Sequence, residues 1–143
     1  MVAIVIVTAI VVYLLWRIKP VPGAKVSSGY GIRTLNGTTA FHNGIDLAAS
    51  EGTRVKAAAA GKVIATGFDN TNGNYVKIKH LRNSTFYGHL SKITVRKNQI
   101  VVKGQKIGEV GNTGYSFGPH VHFIVWNNNG ETVDPAKSNL IRV

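Results

Sequence analysis

Turn-forming residues recur at short intervals from Val26 onward, and they limit what the chain can fold into. Glycine, asparagine and aspartate separate runs of β-branched and aromatic residues, and 16 of the 143 residues are glycine. Tyr75–Lys79 alternates apolar and polar residues, which is typical of a strand with one solvated face. The next residues can turn the chain back into Thr85–Leu90, which suggests a hairpin. Because no long helical period follows residue 20, the sequence predicts an all-β fold, a compact antiparallel β-sheet domain.

One of the predicted strands carries two histidines, His120 and His122. The residues that follow them, Ile124–Trp126, are β-branched or aromatic, and such residues favour a strand. Side chains alternate along a strand, so the two imidazoles share one face while Val121 points to the other, toward a core. Two imidazoles side by side form half of a metal site or an acid–base pair.

The beginning of the chain is almost continuously apolar from Met1 to Trp16, and Arg17 and Lys19 follow it. We expect one N-terminal transmembrane helix over residues 1–19, although the run is slightly shorter than the ~20 apolar residues of a typical span. Trp16 would lie at the membrane interface. A cleaved signal peptide is the alternative, but no Lys or Arg precedes the apolar run and no clear cleavage site follows it.

The predicted domain organisation follows from this anchor. A Pro-Val-Pro-Gly sequence breaks the helix, so residues 20–25 would form a short linker and residues 26–143 a separate folded domain. We expect a membrane-anchored, single-pass protein whose domain faces the periplasm or wall of a bacterial envelope, or one that lies in the membrane of a virus particle. The positive charges after the helix would by themselves favour a cytoplasmic domain, a bias that long translocated domains can override.

The composition restricts the metal ligands and the partners. The chain has no cysteine, five histidines and six carboxylates, so a metal site would use His, Asp or Glu. Seventeen Lys and Arg give a formal net charge of +11, which favours anionic partners such as nucleic acid, lipid or cell-wall polymer. A solvated basic surface is the alternative. No basic stripe interleaved with aromatic residues and no helix-turn-helix pattern occurs, so we expect no nucleic-acid partner.

A second segment offers the remaining half of a metal site. His42 and Asp46 are the only histidine and carboxylate at short even spacing, and positions four apart share a face of an extended strand. Hydrolytic zinc sites have three protein ligands and leave one position open for a water whose pKa falls toward ~7. His42, Asp46 and one of the pair His120/His122 would complete such a site. The other histidine of the pair would relay a proton or stabilise an oxyanion.

Two histidines lie outside these segments. His89 follows a Tyr-Gly sequence on the second strand of the predicted hairpin, where it would be a surface or core histidine unless it joins the site. His80 ends an alternating strand, and we expect it to be exposed and structural.

Three segments strongly resemble the lysostaphin/LytM-type zinc endopeptidases: Phe41–Ala48, Tyr87–Ser91 and Gly118–Phe123. Further segments look like the framework of the same family, namely Ser28–Arg33, Gly52–Ala57 with Gly61–Val63, Val102–Gly108 and Val133–Pro135. The likeness extends over roughly residues 26–136, with the three motifs in the family's order and spacing.

This resemblance implies an antiparallel fold with a substrate groove and hydrolysis of peptide bonds in peptidoglycan cross-links or stem peptides. By its motifs, His42, Asp46 and His122 would hold one zinc ion. His89 and His120 would be the catalytic histidines that act as general base and as stabilisers of the tetrahedral intermediate. All motif positions are filled, which argues against the inactive members of the family. A non-catalytic module on the same fold that binds peptidoglycan or a partner is the alternative, and the scissile bond, glycyl or D-amino-acid, stays open.

Overall fold

A computed structural model describes residues 2–143 of the chain. The described residues form one α-helix, thirteen β-strands and one 3₁₀ turn. In chain order these elements are α1 (Val2–Leu15), β1 (Lys25–Ser28), β2 (Gly31–Leu35), β3 (Thr38–His42), β4 (Ile45–Ala48), β5 (Arg54–Lys56), β6 (Gly61–Asp69), β7 (Gly73–Lys79), β8 (Asn83–Leu90), β9 (Lys92–Ile93), β10 (Ile100–Val101), β11 (Lys106–Glu109), β12 (His120–Asn127), β13 (Thr132–Val133) and the 3₁₀ turn Pro135–Lys137.

The strands confirm the predicted all-β, antiparallel fold. The largest sheet has eight strands in the order β1-β4-β12-β8-β7-β6-β10, with β13 added to β12. A three-stranded sheet (β5-β11-β9) and the hairpin β2–β3 complete the fold. Every ladder between these strands is antiparallel, and short turns connect the neighbours that are consecutive in sequence, such as β6, β7 and β8.

A single apolar cluster joins the two larger sheets. From the eight-stranded sheet, Phe123 and Tyr87 are fully buried, and their rings pack 5.2 Å apart. From the three-stranded sheet, Val55 and Ile107 enter the same cluster. Burial raises the pKa of Tyr87 to about 12, and its hydroxyl accepts a hydrogen bond from the backbone N–H of Ala58. The three-stranded sheet therefore packs against the apolar face of the eight-stranded sheet. The opposite face of the eight-stranded sheet stays available for a site.

The prediction of a transmembrane helix over residues 1–19 is not supported. Helix α1 ends at Leu15 and has 14 residues, which rise only about 21 Å, whereas the apolar core of a bilayer is about 30 Å thick. Between residues 2 and 143, no helix combines the length and the hydropathy needed to cross a membrane. Met1, the first residue of the predicted span, lies outside the described residues.

The segment after α1 packs on the strands. Ile18 forms a parallel bridge with Ile141, and the carbonyl of Pro20 accepts a hydrogen bond from Lys56 N–H at 2.8 Å. Val21 is 1% exposed and belongs to the core cluster. Part of the stretch predicted as the linker 20–25 thus contributes to the hydrophobic core.

Candidate metal centre and groove

The register between β4 and β12 creates the centre of the site. His122 lies directly opposite Asp46 in this antiparallel pair. Residues in such a pair share a face of the sheet, so the imidazole and the carboxylate project to the same side. His120, two residues earlier, is on that face as well, while Val121 is fully buried in the core as alternation predicted.

His42 completes a triangle of three ligand atoms. Its Nε2 lies 3.2 Å from His122 Nδ1 and 3.3 Å from Asp46 Oδ1, and the latter two atoms are 2.9 Å apart. The convergence does not arise on one straight strand, as the four-residue spacing suggested, because β3 ends at His42 and β4 begins at Ile45. A tight corner joins the two strands, and a Cβ on Gly44 would collide with the backbone carbonyl of Phe123.

Hydrogen bonds fix which nitrogen of each ligand imidazole is free. His42 donates its Nδ1–H to the carbonyl of Gly29 at 2.7 Å, which leaves Nε2 with a lone pair. His122 is oriented the opposite way: its Nε2–H donates to Asn43 Oδ1 at 3.0 Å, which leaves Nδ1 with a lone pair. Both free nitrogens face Asp46 Oδ1, so three electron-pair donors converge on one point.

This donor set fits a divalent metal ion. His42, Asp46 and His122 each offer one ligand atom, and these atoms lie within 4.8 Å of one another. Ligands that bind one zinc ion tetrahedrally at about 2.0–2.1 Å are about 3.3 Å apart, close to the spacings found here. Burial acts to raise the pKa of Asp46, but when no metal is bound a proton on His122 Nδ1 or His42 Nε2 places a hydrogen bond and a charge beside the carboxylate, and these lower its pKa well below the usual range. The carboxylate is therefore ionised, as a metal ligand must be.

His120 lies beside the ligand triangle. Its Nδ1–H donates to the carbonyl of Gly118 at 2.7 Å, and Ser116 Oγ lies 3.2 Å from the same nitrogen. Its Nε2 is 3.7 Å from Asp46 Oδ1. The imidazole therefore presents a free nitrogen toward the candidate metal centre.

His89 joins the same face through an unusual backbone conformation. Gly88 pairs with His122, so strict alternation along β8 would send the next side chain to the opposite face. His89 instead has φ of 61°, in the left-handed region, and its ring lies 4.6 Å from that of His120. Its Nδ1–H donates to the carbonyl of Thr113 at 2.8 Å. Burial, assisted by the nearby His120 and His122, lowers the pKa of His89, so the ring is neutral at neutral pH.

The groove around these histidines has a volume of about 970 Å³. One wall is the β2–β3 hairpin, where Phe41 and Leu35 are exposed, and the other is the loop before β12, where Tyr115 and Phe117 are exposed. The rings of Tyr115 and Phe117 contact each other edge to face, with centroids 5.1 Å apart. The site thus lies at the base of a cleft with apolar rims.

Two site residues were missed by the sequence analysis, and one histidine was misplaced. Asn43 fixes the tautomer of His122, and Arg33 lies 3.5 Å from Asp46 Oδ2. Both stood in segments that resemble the family, but only a structure shows their contacts. His80 is 6% exposed, so the prediction of an exposed residue was wrong. It is held between the carbonyl of Ala60 and the hydroxyl of Thr85, at 2.8 Å from each.

Comparison with known proteins agrees with this geometry. The model of peptidase family M23 matches residues 40–135. The chain belongs to peptidase family M23. This establishes the resemblance to the lysostaphin/LytM-type peptidases that the three motifs indicated.

Relatives of this M23 domain include enzymes named for peptidoglycan cleavage. It is 43% identical over 122 residues to the peptidoglycan DD-endopeptidase ShyA of Vibrio cholerae. The match covers 81% of this chain and 28% of ShyA. It is 38% identical over 128 residues to the DD-carboxypeptidase/endopeptidase Mpg of Neisseria meningitidis. This match covers 87% of this chain and 29% of Mpg. The chain therefore spans less than a third of the length of either relative.

The fold is also that of a solved peptidase. The catalytic domain of lysostaphin, an antimicrobial peptidase from Staphylococcus simulans, superposes with a TM-score of 0.74 at 36% identity. The match covers 81% of this chain and 92% of the lysostaphin domain.

Proposed function

We propose that this M23 domain is a zinc-dependent endopeptidase that hydrolyses peptide bonds in peptidoglycan cross-links or stem peptides. The observation that carries the proposal is the convergence of His42 Nε2, Asp46 Oδ1 and His122 Nδ1 within hydrogen-bonding distance of one another. Two imidazoles and one carboxylate are a ligand set of catalytic zinc sites, which keep a further position for water. When bound, zinc would act as a Lewis acid and lower the pKa of a water molecule to about 7.

The remaining histidines are proposed to move and hold protons. His120 Nε2 is free because its Nδ1–H is bound to Gly118, so this nitrogen can accept a proton as general base. His89 holds its Nδ1–H on Thr113, so its other nitrogen faces the site, and this nitrogen would stabilise charge on the reacting carbonyl oxygen when it carries a proton. Both rings are fixed by backbone carbonyls, which reduces the reorganisation needed during reaction.

The scissile bond is proposed to join two D-configured centres. The support is the names of the two relatives, a DD-endopeptidase and a DD-carboxypeptidase/endopeptidase, which match most of this chain. The apolar rims of the groove, with the exposed Phe41 and Phe117, would hold the peptide on either side of the reacting bond.

The experiment is digestion of purified peptidoglycan and defined muropeptides, with mass spectrometry of the products. We expect cleavage at the D,D bond, loss of activity with a chelator and recovery with zinc. Asp46→Asn and His122→Ala should lose both zinc and activity, whereas the control Asp134→Asn, a carboxylate remote from the groove, should keep both. Binding of peptidoglycan by zinc-loaded wild-type protein with no released muropeptide would contradict the proposal and favour a non-catalytic binding module.

The membrane setting is a separate proposal. We propose that α1 associates with a lipid bilayer, because several of its large apolar side chains, such as Ile4 and Val7, are more than half exposed. Arg17 and Lys19 follow the helix and would favour an anionic surface. The bilayer is proposed to be that of a bacterial envelope or of a virus particle. Co-sedimentation with anionic vesicles, compared for the full chain and a variant without residues 2–15, tests the association; equal sedimentation of both would contradict it.

A further inference from the structure

Arg33 lies on the hairpin β2–β3 and extends to the edge of the candidate metal centre. Its Nη1 donates to Ser28 Oγ at 2.7 Å and lies 3.5 Å from Asp46 Oδ2. Asp46 therefore uses one oxygen for the ligand triangle and turns the other toward a guanidinium. The carboxylate of Asp46 therefore lies between the Arg33 guanidinium and the two imidazole nitrogens that would bind the metal.

This cation is isolated within the groove. The chain has 17 Lys and Arg, yet across residues 2–143 Arg33 is the one such side chain that lines the cleft with the histidines. General attraction of anionic polymer to a basic protein does not require a charge at this place. A single positive group beside the reacting centre instead indicates recognition of one particular anionic group.

The guanidinium also keeps unused hydrogen-bonding capacity. It carries five N–H donors in a planar fork, and its hydrogen bond within the described residues goes to Ser28, from Nη1. Nε is buried, so it cannot reach a ligand in the groove, but no described residue accepts a hydrogen bond from Nη2, and the side chain as a whole is 36% exposed. The N–H donors of Nη2 beside the cleft are suited to a carboxylate, which accepts charge-assisted N–H bonds.

We infer that Arg33 binds a free carboxylate on the substrate residue that donates the scissile nitrogen. This inference rests on the proposed function. The α-carboxylate of such a residue is only two bonds from that nitrogen, so it lies close to the reacting carbonyl and within reach of a cation beside the metal ligands. Arg33 would thereby favour cross-links or chain ends that carry this carboxylate. Bonds that lack it, such as internal glycyl bonds, would be cleaved less well.

The names of the relatives agree with this substrate class. Mpg is called a DD-carboxypeptidase as well as an endopeptidase. A carboxypeptidase releases a residue that carries a free carboxylate next to the broken bond. One cation at the position of Arg33 would serve both kinds of substrate, because the charged group has the same relation to the scissile bond in each.

The test uses two cross-linked muropeptide dimers that differ at a single group. In one, the carboxyl group beside the scissile nitrogen is free, and in the other it is a carboxamide. We expect the wild-type domain to cleave the free carboxylate dimer with about 10- to 100-fold higher kcat/KM, mostly through a lower KM, which is the range that a charge-assisted hydrogen bond provides. Equal kcat/KM for the two dimers would overturn the inference without any variant.

Variants separate recognition from support of Asp46. Arg33→Gln should lose the preference, because cleavage of the carboxylate dimer should fall much further than cleavage of the carboxamide dimer and the ratio of the two kcat/KM values should approach one. Arg33→Lys, which keeps the charge, should retain part of the preference. Arg54→Gln removes an exposed arginine on β5, outside the groove, and should retain all of it. If Arg33→Gln slows both dimers equally, Arg33 only positions Asp46 and the inference is wrong.

Binding distinguishes this inference from the proposed function. The affinities of both dimers for His120→Ala, in which cleavage is expected to be blocked, can be measured by calorimetry. Tighter binding of the carboxylate dimer, lost in the double variant with Arg33→Gln, would support the inference even if the wild-type domain cleaved neither dimer. Equal affinities would overturn it even if both dimers were cleaved.

Discussion

The site histidines differ in which ring nitrogen a neighbour holds. His42, His89 and His120 each donate Nδ1–H to a backbone carbonyl, and His122 donates Nε2–H to the Asn43 side chain. This difference lets His122 approach Asp46 with Nδ1 while His42 approaches it with Nε2. The chemistry of the site therefore depends also on residues outside the candidate metal-ligand set.

His80 is the histidine whose burial has a consequence for stability. Burial lowers its pKa below the ordinary 6.5, with a contribution from the charge of Lys79, although its bond to Ala60 acts in the opposite direction. The folded state therefore favours the neutral ring, and the unfolded chain takes up more protons below pH 6.5. Stability from this residue is fully present above pH 6.5 and is lost as the pH falls below 6.5 and through the lower pKa of the folded state.

We therefore predict that the free energy of unfolding of the metal-free domain decreases from pH 7 to pH 5, and that it decreases less in His80→Gln. Denaturant unfolding at several pH values, with a chelator present throughout, measures both curves. Parallel curves for the wild type and the variant would show that His80 does not contribute.

At the scale of elements, the position of His89 depends on contact between two turns. The β6–β7 turn and the loop before β12 meet at Gly73 and Gly114, and a Cβ on Gly114 would collide with the backbone of Gly73. Thr113, beside this contact, accepts the hydrogen bond from His89. His89 N–H in turn donates to Asn72 O at 2.6 Å. The two turns thus hold His89 in its left-handed conformation, one through its backbone N–H and the other through its ring.

We predict that Gly114→Ala separates these turns and lowers kcat by up to about 100-fold, the cost of a misplacement of about 1 Å at a reacting centre, while zinc content is retained. Gly104→Ala is the matched control, because Gly104 also has positive φ, 84°, but open space around its Cβ position. That control should lose about 1–2 kcal/mol of stability through backbone strain and keep its kcat. Equal kcat losses in both variants would contradict the role of the turn contact.

At the scale of the whole molecule, the candidate metal centre connects parts of the chain that are far apart in sequence. His42 and His122 are 80 residues apart, and they belong to β3 and β12, which lie in different sheets. Asp46 on β4 joins them. An ion held by all three would bind the folded state and not the unfolded chain, so it would stabilise the entire domain.

We predict that zinc at 100 times its Kd adds about 2.7 kcal/mol to the stability and raises Tm by roughly 5–10 °C for a domain of this size. Thermal unfolding followed by circular dichroism, with zinc and with a chelator, measures the shift. His122→Ala should show almost no shift. A shift of the same size in that variant would place the bound metal elsewhere on the protein.

The alternation of residues along each strand was readable from the sequence because it is a local property. Apolar residues at every second position predicted the core face of β12, and two-residue spacing placed His120 and His122 together. The absence of cysteine restricted the ligands to His and carboxylates. The likeness of three motifs to a peptidase family then assigned roles that spacing had left open between these two histidines.

Only the tertiary structure decided features that depend on distant partners. Alternation would send His89 away from the site, and contacts with Asn72 and Thr113 hold it in the left-handed conformation that returns it. His80 can be buried because the carbonyl of Ala60, just before β6, and the hydroxyl of Thr85, on β8, satisfy both of its nitrogens. The placement of Arg33 against Asp46 likewise requires a hairpin to fold over another sheet, and no periodicity within one strand contains that information.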